Sequence, residues 1–309
     1  MNVMVTGFPR SGTTFVGRTI SAGRGFSYVH EPFNSKWPAL GTKFRAFPFW
    51  RPDEESKDDM ALLCKLQSVF GFIPSIPDIR HADWSRPVFS LKRMARTVFP
   101  PCGPIFKPHV VLKDPLAVCA TDILIRRFDM KAIVMFRDPV EIAASIHKYG
   151  WRLKPERFTG QATMAAWMDD ETQREMDTLD PDDRSSRVLL TAHAWNIVHR
   201  LLASKTRSSE TVMYVRHSDL IKSPKEVIGR ILEWLGIADD PARRKFVEDH
   251  CRREEIKGQS ETPDILDVRR NLSKGTRVSE KILRSDEIAG IRSITGDIES
   301  HFSKLTDPS

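Results

Sequence analysis

Eight residues near the start of the chain, Gly7-Phe8-Pro9-Arg10-Ser11-Gly12-Thr13-Thr14, have the makings of a loop that grips a phosphate. They close an apolar run at residues 3–8 and open a helical pattern at residues 13–20. Gly7 and Gly12 keep the spacing of the P-loop, G-x-x-x-x-G-K-[ST]. Such a loop turns successive backbone N–H groups toward an anion, and the positive end of the following helix adds to the attraction. Thr13 stands where nucleoside triphosphatases carry a lysine, and the cation has moved three residues earlier, to Arg10. That lysine bridges the β- and γ-phosphates, so its loss weighs against ATP or GTP hydrolysis. A ligand with a single 5′-phosphate-type group still fits.

A second cluster lies between residues 132 and 145. An apolar run ends in Arg137, Asp138 is placed to cap a helix, Pro139 fits its first position and Glu141 completes a D-x-x-E box. Ser145 follows about two turns into that helix. A forked guanidinium and a hydroxyl could clamp one phosphate between them, although Arg137 alone could equally pair with a surface acid. The nine histidines form no H-x-x-x-H or H-E-x-x-H set, so no metal is expected.

These groups need strands and helices to hold them. Short apolar runs at residues 3–8, 26–31, 110–113, 131–136 and 211–215 alternate with helical patterns at 13–20, 117–126, 139–147, 188–204 and 225–235. That rhythm predicts an α/β fold: a P-loop-like, three-layer arrangement of a central parallel sheet flanked by helices. A single domain spanning 1–309 is expected, with two interruptions. Residues 33–106 concentrate 12 of the 27 aromatics, among them Trp37, Phe47, Phe49, Trp50 and Trp84, and many prolines. This aromatic insertion, taken as about 33–108, reads either as a satellite apolar cluster or as one wall of an acceptor pocket. An acid-rich stretch at about 150–186 reads as solvated helix and loop. The segment at 252–281 is basic and poorly periodic.

The two phosphate clusters together resemble the sulfotransferases that use 3′-phosphoadenosine 5′-phosphosulfate (PAPS). In that family a P-R/K-S-G-T/S-T loop binds the 5′-phosphosulfate, and an arginine and a serine eight residues apart bind the 3′-phosphate. The resemblance assigns the first task to Pro9, Arg10, Ser11, Gly12, Thr13 and Thr14, and the second to Arg137 and Ser145. Val110-Val111-Leu112-Lys113-Asp114-Pro115 is similar to a strand whose lysine approaches the sulfuryl group. Residues 212–220 and 223–236 are similar to the family's later "Y-E-D-L…P…F-L-G" segment, with Ser218 where glutamate is frequent. Ser273-Lys274-Gly275 resembles the R-K-G element over the 3′-phosphate, which implicates Lys274 and Gly275. The likeness covers about residues 1–237, with the insertions poorly matched.

Pro115 replaces the histidine that serves the aryl and steroid branch as base. Tyr28-Val29-His30-Glu31-Pro32-Phe33 instead resembles the "E-P" element of carbohydrate-type and related bacterial enzymes, whose glutamate is the base. The resemblance therefore implies a PAPS-dependent transfer to an acceptor hydroxyl, of a carbohydrate or glycan-bearing metabolite. Glu31 would take the proton, with Arg10 and Lys113 neutralising the leaving phosphate oxygen. His30 and Asp114 are rivals for the base; strand alternation would set His30 and Glu31 on opposite faces. A P-loop kinase for a small metabolite, or a nucleotide-binding module without catalysis, is the alternative.

Composition narrows the setting. The 309 residues carry 48 basic and 41 acidic side chains, a net +7. That excess suits an anionic ligand but is too dilute to predict a nucleic-acid partner. Four scattered cysteines without C-x-x-C spacing read as reduced thiols in a cytoplasmic protein. No run approaches a membrane span, and with Met1 as the native start no secretory signal is expected.

Overall fold

Alternating apolar residues build the central strand, β1 (Asn2–Gly7), so that Val3 and Val5 face one side and Met4 the other. The computed structural model describes residues 1–34, 47–48, 109–204, 210–251 and 279–306. Five parallel strands form one sheet in the order β2-β3-β1-β4-β5. They are β1, β2 (Phe26–His30), β3 (His109–Lys113), β4 (Met130–Phe136) and β5 (Val212–Arg216). The chain passes from β1 to the outer strand β2, returns through β3, and crosses β1 to reach β4. Ligands of open α/β sheets bind beside such a reversal, beyond the carboxyl ends of the strands. Register brings those ends level: Lys113 pairs with Val5 and His30, Gly7 with Met135, and Phe136 with Arg216.

Helices cover both faces, as the α/β expectation required. On one face α1 (Thr13–Ser21), α8 (Pro224–Leu235) and α9 (Pro241–Cys251) bury Phe15, Val16, Ile231 and Val247 against Val3, Val5, Ile133 and Met135. On the other, α2 (Thr121–Phe128), α3 (Pro139–Lys148) and α6 (Arg184–Ala203) pack on Met4, Leu112, Val134 and Phe136. Between α3 and α6 the short α4 (Ala162–Ala165) and α5 (Asp170–Thr178) occupy the acid-rich stretch. There Asp169 and Asp183 cap α5 and α6 through Thr172 N and Ser186 N, both at 2.8 Å. Phe158, Met164 and Met176 anchor that stretch in the core. The single helix expected at 117–126 is divided. Asp114 caps a 3-10 turn, Pro115–Ala120, and α2 starts only at Thr121.

The chain ends in a helix that the sequence reading did not propose. After α7 (His217–Lys222), α8 and α9, the short α10 (Ser279–Ile282) leads into α11 (Ser285–Thr306). Its Ile288, Ile291, Ile294, Ile298 and Phe302 recur every three or four residues and pack on α3, α6 and the sheet. Phe302 lies flat on Phe136, with ring centroids 5.2 Å apart and planes 4° off parallel. Of the 33–106 stretch, Phe33 and Phe47 join the core, whereas Trp37, Phe49, Trp50 and Trp84 lie outside the described residues. Because Phe302 is wholly buried, Phe302→Ala should cost about 3–5 kcal/mol. Denaturant unfolding checks this; a loss under about 1 kcal/mol would show that α11 is not docked on β4.

Candidate active site at the carboxyl ends of the strands

Gly7 ends β1 at φ 140°, and a Cβ there would stand 2.4 Å from Met135 O on β4. No side chain can occupy that position, so the turn requires glycine. Ser11 N then donates to Phe8 O at 3.2 Å, and the backbone passes through left-handed φ values at Arg10 (75°) and Gly12 (92°). Gly12 starts α1 with no side-chain cap, and the first turn carries no acid. The N–H groups of Thr13 and Thr14 and the dipole of α1 therefore face the site with no side-chain cap among the described residues and no acid in the helix's own first turn. The buried Ser11 Oγ also has no hydrogen-bond partner among the described residues. A buried hydroxyl left so can bond to an anion held by the loop. These features fit a phosphate-type group, the task that the sequence resemblance gives to residues 9–14.

At the β2–β3 end, Lys113 Nζ meets Glu31 Oε1 in a short ion pair, with Lys113 only 2% exposed. Asn34 Nδ2 donates to Glu31 Oε2 at 2.8 Å. The lysine stem passes under Gly17 of α1, where a Cβ would sit 3.1 Å from Lys113 Cβ. Burial drives the Glu31 carboxyl upward, but Lys113, His30 and Asn34 outweigh it and hold the group below its ordinary range. The expected alternation of His30 and Glu31 does not hold. Strand β2 stops at His30, and Glu31 turns left-handed at φ 44°, which brings its carboxylate round to Lys113. Both residues thus serve one side, and Tyr28 OH lies 3.3 Å from His30 Nδ1 there.

Asp114 is placed differently. It is fully buried; burial and the nearby Glu31 charge push its carboxyl up to about 7. Its two oxygens accept from Phe33 N (2.7 Å) and Leu116 N (2.9 Å). Those bonds fix the chain on either side of the site, which makes Asp114 a structural anchor and a poor rival for the base.

At the β4 end Arg10, Arg137 and Ser145 meet. Arg137 Nη1 donates to Arg10 O at 2.7 Å, and Arg10 Nε donates to Ser145 Oγ at 3.0 Å. Asp138 caps α3 as expected, through Val140 N (2.8 Å) and Glu141 N (3.2 Å). Glu141 does not complete the box: its carboxylate takes Arg137 Nε at 2.9 Å. Trp195 Nε1 donates to Arg137 O at 3.1 Å, which pins the backbone of the same residue. His217 packs on the loop, its Cδ2 2.9 Å from where a Gly12 Cβ would be. Burial, then the charges of Arg137 and Arg10, hold that imidazole well below its ordinary range, so it stays neutral.

The structure thus gathers Pro9, Arg10, Ser11, Gly12, Thr13 and Thr14 with Arg137 and Ser145 on one side of β1, and Lys113 with Glu31 on the other. Lys274 and Gly275 lie outside the described residues. Tyr149 and Trp151 were not singled out from sequence, Glu141 was read only as part of a helix cap and His217 only within the 212–220 segment, yet all four border the site. Tyr149 could have been found as the residue one turn beyond Ser145. Among the described residues no group of three or more histidine, cysteine or acidic side chains is placed to hold a metal.

The model of a sulfotransferase family matches residues 2–241, and the chain belongs to that family. No curated protein matches it. Solved structures with a similar chain path include the sulfotransferase domain of the curacin biosynthetic pathway, at 15% identity and TM-score 0.47, covering 99% of this chain and 98% of that one. Sulfotransferase STF9 from Mycobacterium avium is 14% identical with TM-score 0.46, covering 97% and 76%. Mouse sulfotransferase SULT7A1, solved with PAP, is 14% identical with TM-score 0.43, covering 96% and 83%.

The Lys113–Glu31 pair generates a stability prediction. A carboxylate held below its unfolded-state value stabilises the fold above that value and loses the contribution as pH falls. Glu31→Gln leaves a buried ammonium without its counter-charge, which should cost about 3–5 kcal/mol at pH 7. Urea unfolding of both proteins should show the gap closing as the pH falls below the ordinary carboxylate range. A gap independent of pH would mean that the pair contributes nothing through its charge.

Proposed function

We propose that the protein transfers a sulfuryl group from PAPS to an acceptor hydroxyl, with the donor lying across the carboxyl ends of β3, β1 and β4. The observation that carries this reading is the pairing of an uncapped α1 with two cationic stations, Lys113 on one side and Arg10–Arg137–Ser145 on the other. One anionic group would sit on the loop amides and Ser11 Oγ. The donor's 3′-phosphate would take Arg137 and Ser145, joined by Arg10, whose Nε donates to Ser145 Oγ. Lys274 and Gly275 complete that contact in the reading carried over from the family.

Glu31 is the general base and Lys113 the electrostatic partner. As the S–O bond to the donor phosphate breaks, Lys113 turns to the negative charge gathering on that oxygen. Glu31 then loses the cation that depresses it and becomes basic enough to take the acceptor's proton while the new S–O bond forms. His30 adjoins the pair and is the remaining candidate for proton transfer. The Glu31-Pro32 element and the absence of a histidine at Pro115 favour a carbohydrate or glycan-bearing acceptor. We place the activity in a single cytoplasmic domain; no described helix is long and apolar enough to cross a membrane.

A thermal-shift panel should show adenosine 3′,5′-bisphosphate stabilising the protein more than ATP–Mg²⁺; the reverse order would favour a kinase. Arg137→Ala should weaken the bisphosphate by about 2–3 kcal/mol and adenosine 5′-phosphate far less. An equal loss for both ligands would make Arg137 purely structural. With radiolabelled donor and an acceptor found by screening, Glu31→Gln should cut turnover about 10²–10⁴-fold with bisphosphate binding kept. Near-normal turnover, with collapse in His30→Ala, would transfer the role to His30.

A further inference from the structure

Arg10 is the only cation of the phosphate loop, and its side chain is held from outside the loop. Helix α3 ends in a six-residue closure: Gly150 N donates to His147 O at 3.0 Å, and Trp151 N to Ile146 O at 3.1 Å. Gly150 adopts φ 62°, the left-handed step that such an ending requires. The closure swings Trp151 back beside Tyr149. The Arg10 guanidinium lies over both rings, 4.6 Å from the Tyr149 centroid and 5.7 Å from that of Trp151. Ser145, which accepts Arg10 Nε, is one turn before Tyr149 on the same helix. A single helix end therefore supplies both the hydroxyl and the aromatic surface that fix one arginine.

We infer that Tyr149, supported by Trp151, is a positioning residue that makes the site selective for a donor bearing a second phosphate. The inference rests on the donor reading given above. Arg10 is a non-glycine residue in the left-handed region, so its side chain leaves the loop in a direction set by its backbone. A long side chain on the surface of a site would otherwise sample many rotamers and lose that freedom on binding. Stacking on tyrosine removes that freedom beforehand. The face of the cation is taken up by the rings, and its edge meets Ser145, where the 3′-phosphate contact is placed.

Calorimetric titrations of adenosine 3′,5′-bisphosphate and adenosine 5′-phosphate test this on the 309-residue chain. Tyr149→Leu should weaken the bisphosphate about two- to thirtyfold, the span of a cation–π contact, and leave the monophosphate unchanged. Tyr149→Phe, which keeps the ring, should bind like the parent. Adding Tyr149→Leu to Arg10→Ala should cost nothing further, because the two act as a unit. Equal weakening of both nucleotides would show that Tyr149 stacks on the base instead, and failure of phenylalanine to rescue would assign the effect to the hydroxyl; either overturns the inference. A parent protein that does not prefer the bisphosphate overturns the donor reading and this inference together. A parent that prefers the bisphosphate and keeps that preference at full size in Tyr149→Leu overturns this inference alone. Circular-dichroism melts of each variant separate misfolding from a binding effect, and Trp151→Leu gives the same test at the second ring.

Discussion

Helix α1 begins on Gly12 with no side chain among the described residues capping its first N–H groups. A glycine N-cap in place of a side-chain cap costs a helix only about a few tenths of a kcal/mol, and the left-handed backbone at Arg10 adds about 1–2 kcal/mol. The rest of the fold holds this arrangement in place. Gly7 lets β1 press against Met135 on β4, His217 packs on Gly12, and Arg137 ties Arg10 O to the end of β4. Strand β1 sits at the centre of five, so the strained loop is anchored on both sides by hydrogen-bonded neighbours. Strain that survives inside so constrained a frame is typical of ligand sites.

The same frame divides the chemistry. On the β3 side a lysine and a glutamate neutralise each other inside the protein. In the reaction we propose, neither is free until an anion draws the lysine away, which would link proton acceptance to the arrival of negative charge. On the β4 side Arg10, Arg137 and Ser145 form a fixed cationic station, with Glu141 and neutral His217 behind it. Helix α11 supports that station from below, through Phe302 on Phe136 and through Arg292, which meets the Asp138 cap at 2.7 Å.

Elements with a strong local pattern were legible in the sequence. The five strands, the loop and the cap at Asp138 follow from alternation, glycine spacing and the Asp-Pro pair, each a short-range property. Helix α11 was legible too, in its isoleucines at three- and four-residue steps, but lies beyond the motifs that drew attention. What the sequence could not convey were the exceptions to local rules. Glu31 leaves strand alternation because its backbone turns left-handed, and Arg10 points to α3 because Tyr149 and Ser145 await it there. Asp114 looked like a base beside Lys113; only its burial and two backbone partners identify it as an anchor.

The crystal structure of the protein with adenosine 3′,5′-bisphosphate tests this arrangement most directly. The 5′-phosphate should lie within hydrogen-bond distance of the α1 N-terminus and Ser11 Oγ, and the 3′-phosphate against Arg137 and Ser145. Lys113 should then have turned from Glu31 toward the 5′-phosphate. A nucleotide bound away from the loop, or with its 3′-phosphate at Lys113, would contradict the division of the site.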